Sequence, residues 1–128
     1  MSQNFDFSEL VDNTLAKNQK KTFNILNENN FAVEESIIII RIFLSKLKRL
    51  LKIFTEIKTS NNLETAITSF KPPIFWKEKD IIKQQIKILD YQKVQDLIVK
   101  TCDLELLIKK NPSITTNLVT DFILQKAS

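Results

Sequence analysis

Side chains able to do chemistry are few in this sequence, and the types on which most active sites depend are missing. The 128 residues include no histidine and no glycine, and Cys102 is the single cysteine. Without histidine, no Ser-His-Asp or Cys-His relay can form, and zinc lacks its ordinary ligand set. Without glycine, the loops that turn backbone N–H groups toward a phosphate cannot be built. Carboxylate or lysine chemistry is the one catalytic route left, and no spacing supports it. We therefore predict a non-catalytic domain without a cofactor, metal ion or small-molecule substrate.

Positively charged side chains on the third predicted helix are the first candidate for a binding site. Arg41, Lys48 and Lys52 form a stripe on one helical face, and Lys46 and Arg49 lie nearby in the sequence. Clustered lysine and arginine on a helix can pair with phosphates. The net charge of +4 is modest for a dedicated nucleic-acid binder. A solvated helix face is therefore the alternative interpretation, and the one we favour.

The most distinctive local feature is the segment 71–77, in which two prolines precede Ile74, Phe75 and Trp76. A rigid diproline that presents Phe75 and Trp76 could anchor a partner, because aromatic side chains bury a large area at a small entropic cost. The alternative is that both rings pack over the ends of the flanking helices. Aromatic residues in such turns usually cover a bundle in this way, and we favour this second interpretation.

Two further cations, Lys109 and Lys110, come directly before Asn111 and Pro112. Asparagine followed by proline is typical of a helix N-cap and its first helical position. Because backbone N–H groups at a helix N-terminus attract phosphate, the two lysines are candidate DNA-proximal residues. The favoured alternative is that they close the preceding helix, where cations interact favourably with the helix dipole.

The elements that must position these residues are helices. Apolar residues recur at spacings of three and four, as in the third segment, where Ile40, Leu44 and Leu47 share one face with Leu51 and Phe54. The pattern predicts one all-α domain over residues 1–128, a compact bundle of about six to seven mostly antiparallel helices without a sheet. The predicted segments are about residues 6–18, 20–28, 34–58, 62–70, 77–89 and 91–109, followed by one that opens at residues 111–112.

Chain reversals in a sequence without glycine need another residue that tolerates the left-handed backbone, and asparagine is the usual substitute. Asn29 or Asn30 is expected to fill this role after the second segment, whereas Asn61 and Asn62 are expected to cap the fourth. These positions let short connections join the helices.

The cellular setting follows from cysteine usage and hydropathy. Cys102 cannot form an internal disulfide, and we expect a half-buried thiol that acts as a small apolar filler, which fits a reducing cytoplasm. No apolar run approaches the roughly 20 residues of a membrane span. A cytoplasmic domain without a membrane partner is therefore expected.

The order of these segments resembles one known family over nearly the whole chain. The matching parts are the hairpin of residues 7–12 and 25–29, the leucine- and arginine-rich helix 41–51, the diproline-aromatic segment 71–77, and Asp103 and Leu104 followed by Lys109. Together they resemble the C-terminal collar domain of the delta subunit of the bacterial DNA polymerase III clamp loader. One departure is that this family commonly has glycine between the second and third helices and before the fourth. In this chain the resemblance implies that Asn29 or Asn30, and Asn61 or Asn62, stand in and take the same left-handed backbone.

The resemblance implies a role in DNA replication. In that family the full subunit also has an N-terminal body of AAA+ type, and the collar domains of the subunits join in a ring, so this chain is expected to be part of a longer subunit. The partners implied are clamp-loader subunits of gamma/tau and delta-prime type, with the sliding clamp and DNA reached through the whole complex. Exposed parts of the third helix and of the last two helices are expected to carry the contacts. The alternative is a stand-alone helical nucleic-acid-binding protein that uses the third helix.

Overall fold

The structure, a computed structural model, describes residues 6–128. In that range it contains seven α-helices, two short 3₁₀ turns and no β-strand. The 3₁₀ turns are Trp76–Glu78, directly before the fifth helix, and Pro112–Ile114, directly before the last one. The helices are α1 (Phe7–Leu15), α2 (Gln19–Glu28), α3 (Val33–Ser60), α4 (Leu63–Thr68), α5 (Lys79–Ile88), α6 (Tyr91–Lys110) and α7 (Thr115–Ala127). The all-α prediction is confirmed.

Helix α3 lies at the centre of the bundle and packs against α1, α4, α5, α6 and α7. Its fully buried side chains include Ile39, Phe43, Leu47 and Leu50, which follow one another at spacings of four and three. Leu44, which the sequence pattern assigns to the apolar face, is only partly buried. Because neighbouring helices cover α3 from several sides, its buried surface is wider than a single amphipathic face. The centre of this buried surface is displaced to one side of the predicted apolar face.

Aromatic packing closes the core between α3 and α7. The rings of Phe43 and Phe122 meet edge to face, with centroids 5.6 Å apart and planes at 86°. Such edge-on pairs add about 1 kcal/mol to the free energy of burial. Val119 and Ile123 of α7 are fully buried on the same side of the helix, so α7 is held by apolar contacts along its length.

Polar side chains fix several helix N-termini. Asp6 Oδ1 accepts hydrogen bonds from the backbone N–H groups of Ser8 and Glu9 at 2.9 and 3.2 Å, which caps α1. Asp90 caps α6 in the same way through the N–H of Lys93, at 2.8 Å. Each capping residue satisfies donors that the helix itself leaves unpaired.

Two tight reversals of the chain each contain a residue in the left-handed backbone conformation; one of these residues was predicted and the other was not. Asn61 ends α3 in the left-handed conformation, with φ 58°, as predicted. The prediction for Asn29 or Asn30 is wrong, because Asn29 is extended, with φ −136°, and its amide donates to the Ile25 carbonyl at 2.8 Å. Lys17, with φ 58°, instead takes the left-handed position after α1. The N–H of Lys17 bonds to the Thr14 carbonyl, and that of the next residue closes the turn, as a C-terminal glycine usually does.

The last helix also begins differently from the prediction. Pro112 opens a 3₁₀ turn, and α7 starts only at Thr115. The side-chain amide of Asn111 donates to the Leu107 carbonyl at 2.9 Å, so this asparagine satisfies the end of α6 and does not cap the following turn.

Candidate functional site

Exposed apolar side chains lie along the outward side of α6. Val99 is 60% exposed, Leu106 59% and Leu107 46%. Leu106 and Leu107 come seven and eight residues after Val99, so they lie about two turns further along the same side of the helix. We call the surface formed by Val99, Cys102, Leu106 and Leu107 the α6 outer face. Aliphatic side chains exposed singly are ordinary, but a row on one helix face is typical of a contact surface.

The opposite side of α6 explains why the outer face stays uncovered. Val94, Thr101, Leu104 and Ile108 are buried there against the bundle, chiefly against α3. One apolar stripe is enough to hold the helix in place. The apolar residues of the outer face are therefore surplus to the needs of the core.

The prediction for Cys102 is wrong, because its side chain is exposed. It lies three residues after Val99 and four before Leu106, which places it on the α6 outer face. A thiol here has contacts available only outside the chain, and it serves as a chemical handle for labelling this surface.

A second exposed apolar feature is the aromatic pair before α5. Trp76 is 69% exposed and Phe75 56%, so the rings do not pack over the flanking helices. Their centroids are 6.0 Å apart with planes at 52°, and Lys77 Nζ lies 5.5 Å from the centroid of the indole. Ile74, by contrast, is buried and anchors the segment. The segment thus presents two rings and a cation to the solvent.

Three cations of α3 form the exposed basic stripe that the sequence predicts. Arg41, Lys48 and Lys52 are exposed on α3, and in residues 6–128 none of them forms an ion pair. Lys46 and Arg49 are not part of that surface, because both turn toward acidic residues from other elements. The structure therefore separates three solvated cations from two structural ones.

Four charged side chains, two of them buried and two half-buried, form a cluster where α1, α3 and the first 3₁₀ turn meet. Lys46 Nζ lies 3.0 Å from Asp12 Oδ1 and 3.6 Å from Glu78 Oε1. Arg49 Nη2 donates to the same Glu78 oxygen at 2.7 Å. The side chains of Lys46 and Asp12 are only 10% and 9% exposed. A buried pair of this kind tolerates removal of neither partner, because the other charge is left without compensation.

The environment moves the two carboxyl groups in opposite directions. Burial raises the pKa of Asp12 above its usual value, and this effect outweighs the charge of Lys46. Desolvation acts in the same sense on Glu78, but the Arg49 hydrogen bond and the Lys46 charge together hold its pKa below the usual value. Glu78 therefore stays ionised and ties the turn that carries Trp76 to α3.

The candidate DNA-proximal lysines lie at the end of α6. Lys109 and Lys110 are both exposed, and Lys109 Nζ lies 3.8 Å from Glu105 Oε2, one helical turn back. Since the 3₁₀ turn Pro112–Ile114 follows, no long helix directs its N-terminus at these lysines. Their position matches the alternative interpretation, in which cations close a helix C-terminus.

Sequence reasoning missed the ion cluster and the α6 outer face. The α6 segment does carry a signal, since it has more apolar residues than one buried stripe needs. Among residues 6–128, no group of three or more acidic or cysteine side chains is placed to hold a metal ion, and none of the helices there is both long and apolar enough to cross a bilayer. No known protein family, curated protein or solved structure matches this chain.

Proposed function

We propose that this chain is a collar-type oligomerisation domain from the delta subunit of a DNA polymerase III clamp loader. The observation that carries the proposal is the α6 outer face, an aliphatic row that its own bundle leaves uncovered. The sequence resemblance supplies the identity of the partners, and its implied contact region includes the last two helices. The domain contributes binding free energy and geometry, and its partners supply the chemistry.

The apolar side chains of the α6 outer face lose contact with water when a partner covers them, and this burial favours association. Burying one leucine or valine side chain stabilises a complex by about 1.5 to 3 kcal/mol before the costs of association. Interfaces concentrate their binding energy in a few well-packed side chains. Leu106 is 59% exposed and lies on the same side of α6 as Val99, two turns later, with Leu107 directly after it. It is therefore the residue whose loss should weaken assembly most.

Size-exclusion chromatography with clamp-loader subunits of gamma/tau and delta-prime type tests this proposal. The wild-type chain is expected to co-elute with them, and Leu106→Asp is expected to elute alone with an unchanged helical circular dichroism spectrum. Phe23→Asp is the matched control, because Phe23 is 51% exposed on α2, outside the proposed contact region. Normal co-elution of Leu106→Asp, or no co-elution of the wild type, would contradict the proposal.

The second candidate is a nucleic-acid-binding domain, and the solvated row Arg41, Lys48 and Lys52 favours it. The first and last of these residues are 11 positions apart on α3, about 16 Å, which is about five phosphate spacings of one strand along the duplex axis. A binder of this kind loses affinity for duplex DNA steeply as salt rises, with a slope that falls by about one for each phosphate contact removed. Binding of the isolated domain to DNA with that slope would favour this candidate over the collar domain.

A further inference from the structure

A cleft lies between α6 and the C-terminal part of α7, beside the turn that follows α1. Its volume is about 370 Å³, at the lower end of the range for small-molecule sites. Four lysines and one aspartate line it, together with apolar side chains of which Leu97 is one. The lysines come from three different elements and are Lys17, Lys93, Lys100 and Lys126.

Lys17 has a structural task that accounts for its place. Its Nζ donates to the backbone carbonyls of Lys126 and Ser128, at 3.2 and 3.0 Å. These are carbonyls that the last turn of α7 leaves without helical partners. Lys17 is thereby fixed at the cleft by main-chain oxygens. Of the other three lysines, Lys93 and Lys100 are exposed and Lys126 is half-buried.

The remaining cations are poorly compensated. In the described part of the chain, Lys93, Lys100 and Lys126 form no ion pair with a carboxylate. Asp96, the one acidic residue that lines the cleft, accepts a hydrogen bond from the Gln92 amide at 3.1 Å. The cleft therefore carries an excess of positive charge that the chain itself does not neutralise.

The surroundings of Lys126 disfavour its charged form. Burial lowers the pKa of Lys126 below its usual value, and the ammonium groups of Lys100 and Lys17 lower it further. Its side chain also lies against the Phe122 ring, with Nζ 5.5 Å from the centroid. An anion bound between neighbouring lysines offsets their mutual repulsion and favours their charged forms.

We propose that this cleft binds a small molecule that carries at least two phosphate charges, held by Lys100 and Lys126, with its less polar part against Leu97. Convergence of the lysines on one concave site favours a compact ligand, because an extended strand needs cations spread along a track. No residue that lines the cleft belongs to the α6 outer face, although Lys100 and Lys126 also line a neighbouring depression with Leu107. The proposal does not depend on the collar assignment.

Isothermal titration calorimetry with inorganic pyrophosphate, in a buffer free of phosphate, tests the proposal on the intact chain. We expect saturable one-to-one binding, with NMR amide shifts confined to residues around the cleft. Lys126→Gln and Lys100→Gln should each raise Kd about tenfold, the usual effect of losing one charge-assisted contact. Lys58→Gln, an exposed lysine at the end of α3, removes the same charge away from the cleft and should leave Kd unchanged.

Comparison of ligands identifies the source of the phosphate. Tighter binding of ADP than of pyrophosphate supports the proposal and places the adenine base against the apolar wall at Leu97. Equal binding of the two compounds supports a site that recognises the phosphates alone. Three results would overturn it: absence of saturable binding by either compound, equal weakening by Lys58→Gln, or binding of oligothymidylate without binding of pyrophosphate. Circular dichroism of each variant separates lost binding from lost folding.

Discussion

Replacement of Lys46 by methionine tests how the buried charges hold the bundle together. Methionine keeps most of the side-chain length and removes the ammonium group. Asp12 then loses the cation that lies 3.0 Å from its Oδ1, while the carboxyl stays in a site that is only 9% exposed. Glu78 loses one of its two cations and keeps Arg49. The variant therefore leaves Asp12 as the main uncompensated charge.

The size of the effect follows from the geometry. At 3.0 Å and an effective dielectric constant of about 20, the attraction between Lys46 and Asp12 amounts to about 5.5 kcal/mol. Desolvation of both groups cancels part of this attraction, but removal of one partner keeps the desolvation cost of the other. We expect Lys46→Met to lower the free energy of unfolding by about 3 kcal/mol near neutral pH.

The cost should depend on pH with a definite sign. In the wild type the pKa of folded Asp12 is already raised by burial, so this group favours the folded state most below its unfolded pKa and loses that contribution as pH rises. Without Lys46 the folded pKa of Asp12 rises further. The cost of Lys46→Met is therefore largest near neutral pH and shrinks as the pH falls through the raised folded pKa of Asp12, where this carboxyl takes up a proton.

Urea unfolding followed by circular dichroism at several pH values measures this effect. The double variant Asp12→Asn/Lys46→Met should recover a large part of the loss, because no isolated charge remains buried. A single-variant cost below about 1 kcal/mol near neutral pH, or a cost that grows at acidic pH, would refute the reasoning. Either result would mean that the two groups are as well hydrated as a surface ion pair.

Three further expectations concern stability, each measured by urea or thermal unfolding. Leu106→Ser should change the free energy of unfolding by less than about 0.5 kcal/mol, whereas Leu50→Ala in the core should cost about 3 kcal/mol; similar costs would contradict the assigned burial. Asn61→Ala should cost about 1 kcal/mol and Asn61→Gly nothing, because only the alanine resists φ 58°; equal effects would exclude this explanation. Trp76→Ala should cost less than about 0.5 kcal/mol, and a loss above about 2 kcal/mol would show that the ring is packed.

The helices could be predicted because their signals are local. Asp6 and the apolar residues that follow it define α1, and the prolines at residues 72 and 73 separate α4 from the turn before α5. Asn61 takes the left-handed backbone as expected. Asn29 does not, because the four residues between α2 and α3 can turn through extended backbone and do not need a tight reversal.

The charged and apolar surfaces could not be predicted in the same way. Lys46 is one of several cations on α3, and its partner Asp12 lies 34 positions earlier on another helix. Helical periodicity assigns a residue to a face but does not say which acidic residue will cover it. Trp76 and Leu106 are also hydrophobic enough to be buried, and only the packing of the neighbouring elements shows that they are not.

The affinity of the chain for the proposed partners, clamp-loader subunits of gamma/tau and delta-prime type, measured with and without the α6 outer face, tests the proposed function most directly. Val99→Asp/Leu106→Asp should raise Kd at least about a hundredfold, since two apolar contacts of about 1.4 kcal/mol each are lost. Phe23→Asp should leave Kd unchanged. An unaltered Kd for the double variant would contradict the claim that this face joins the domain to its partners.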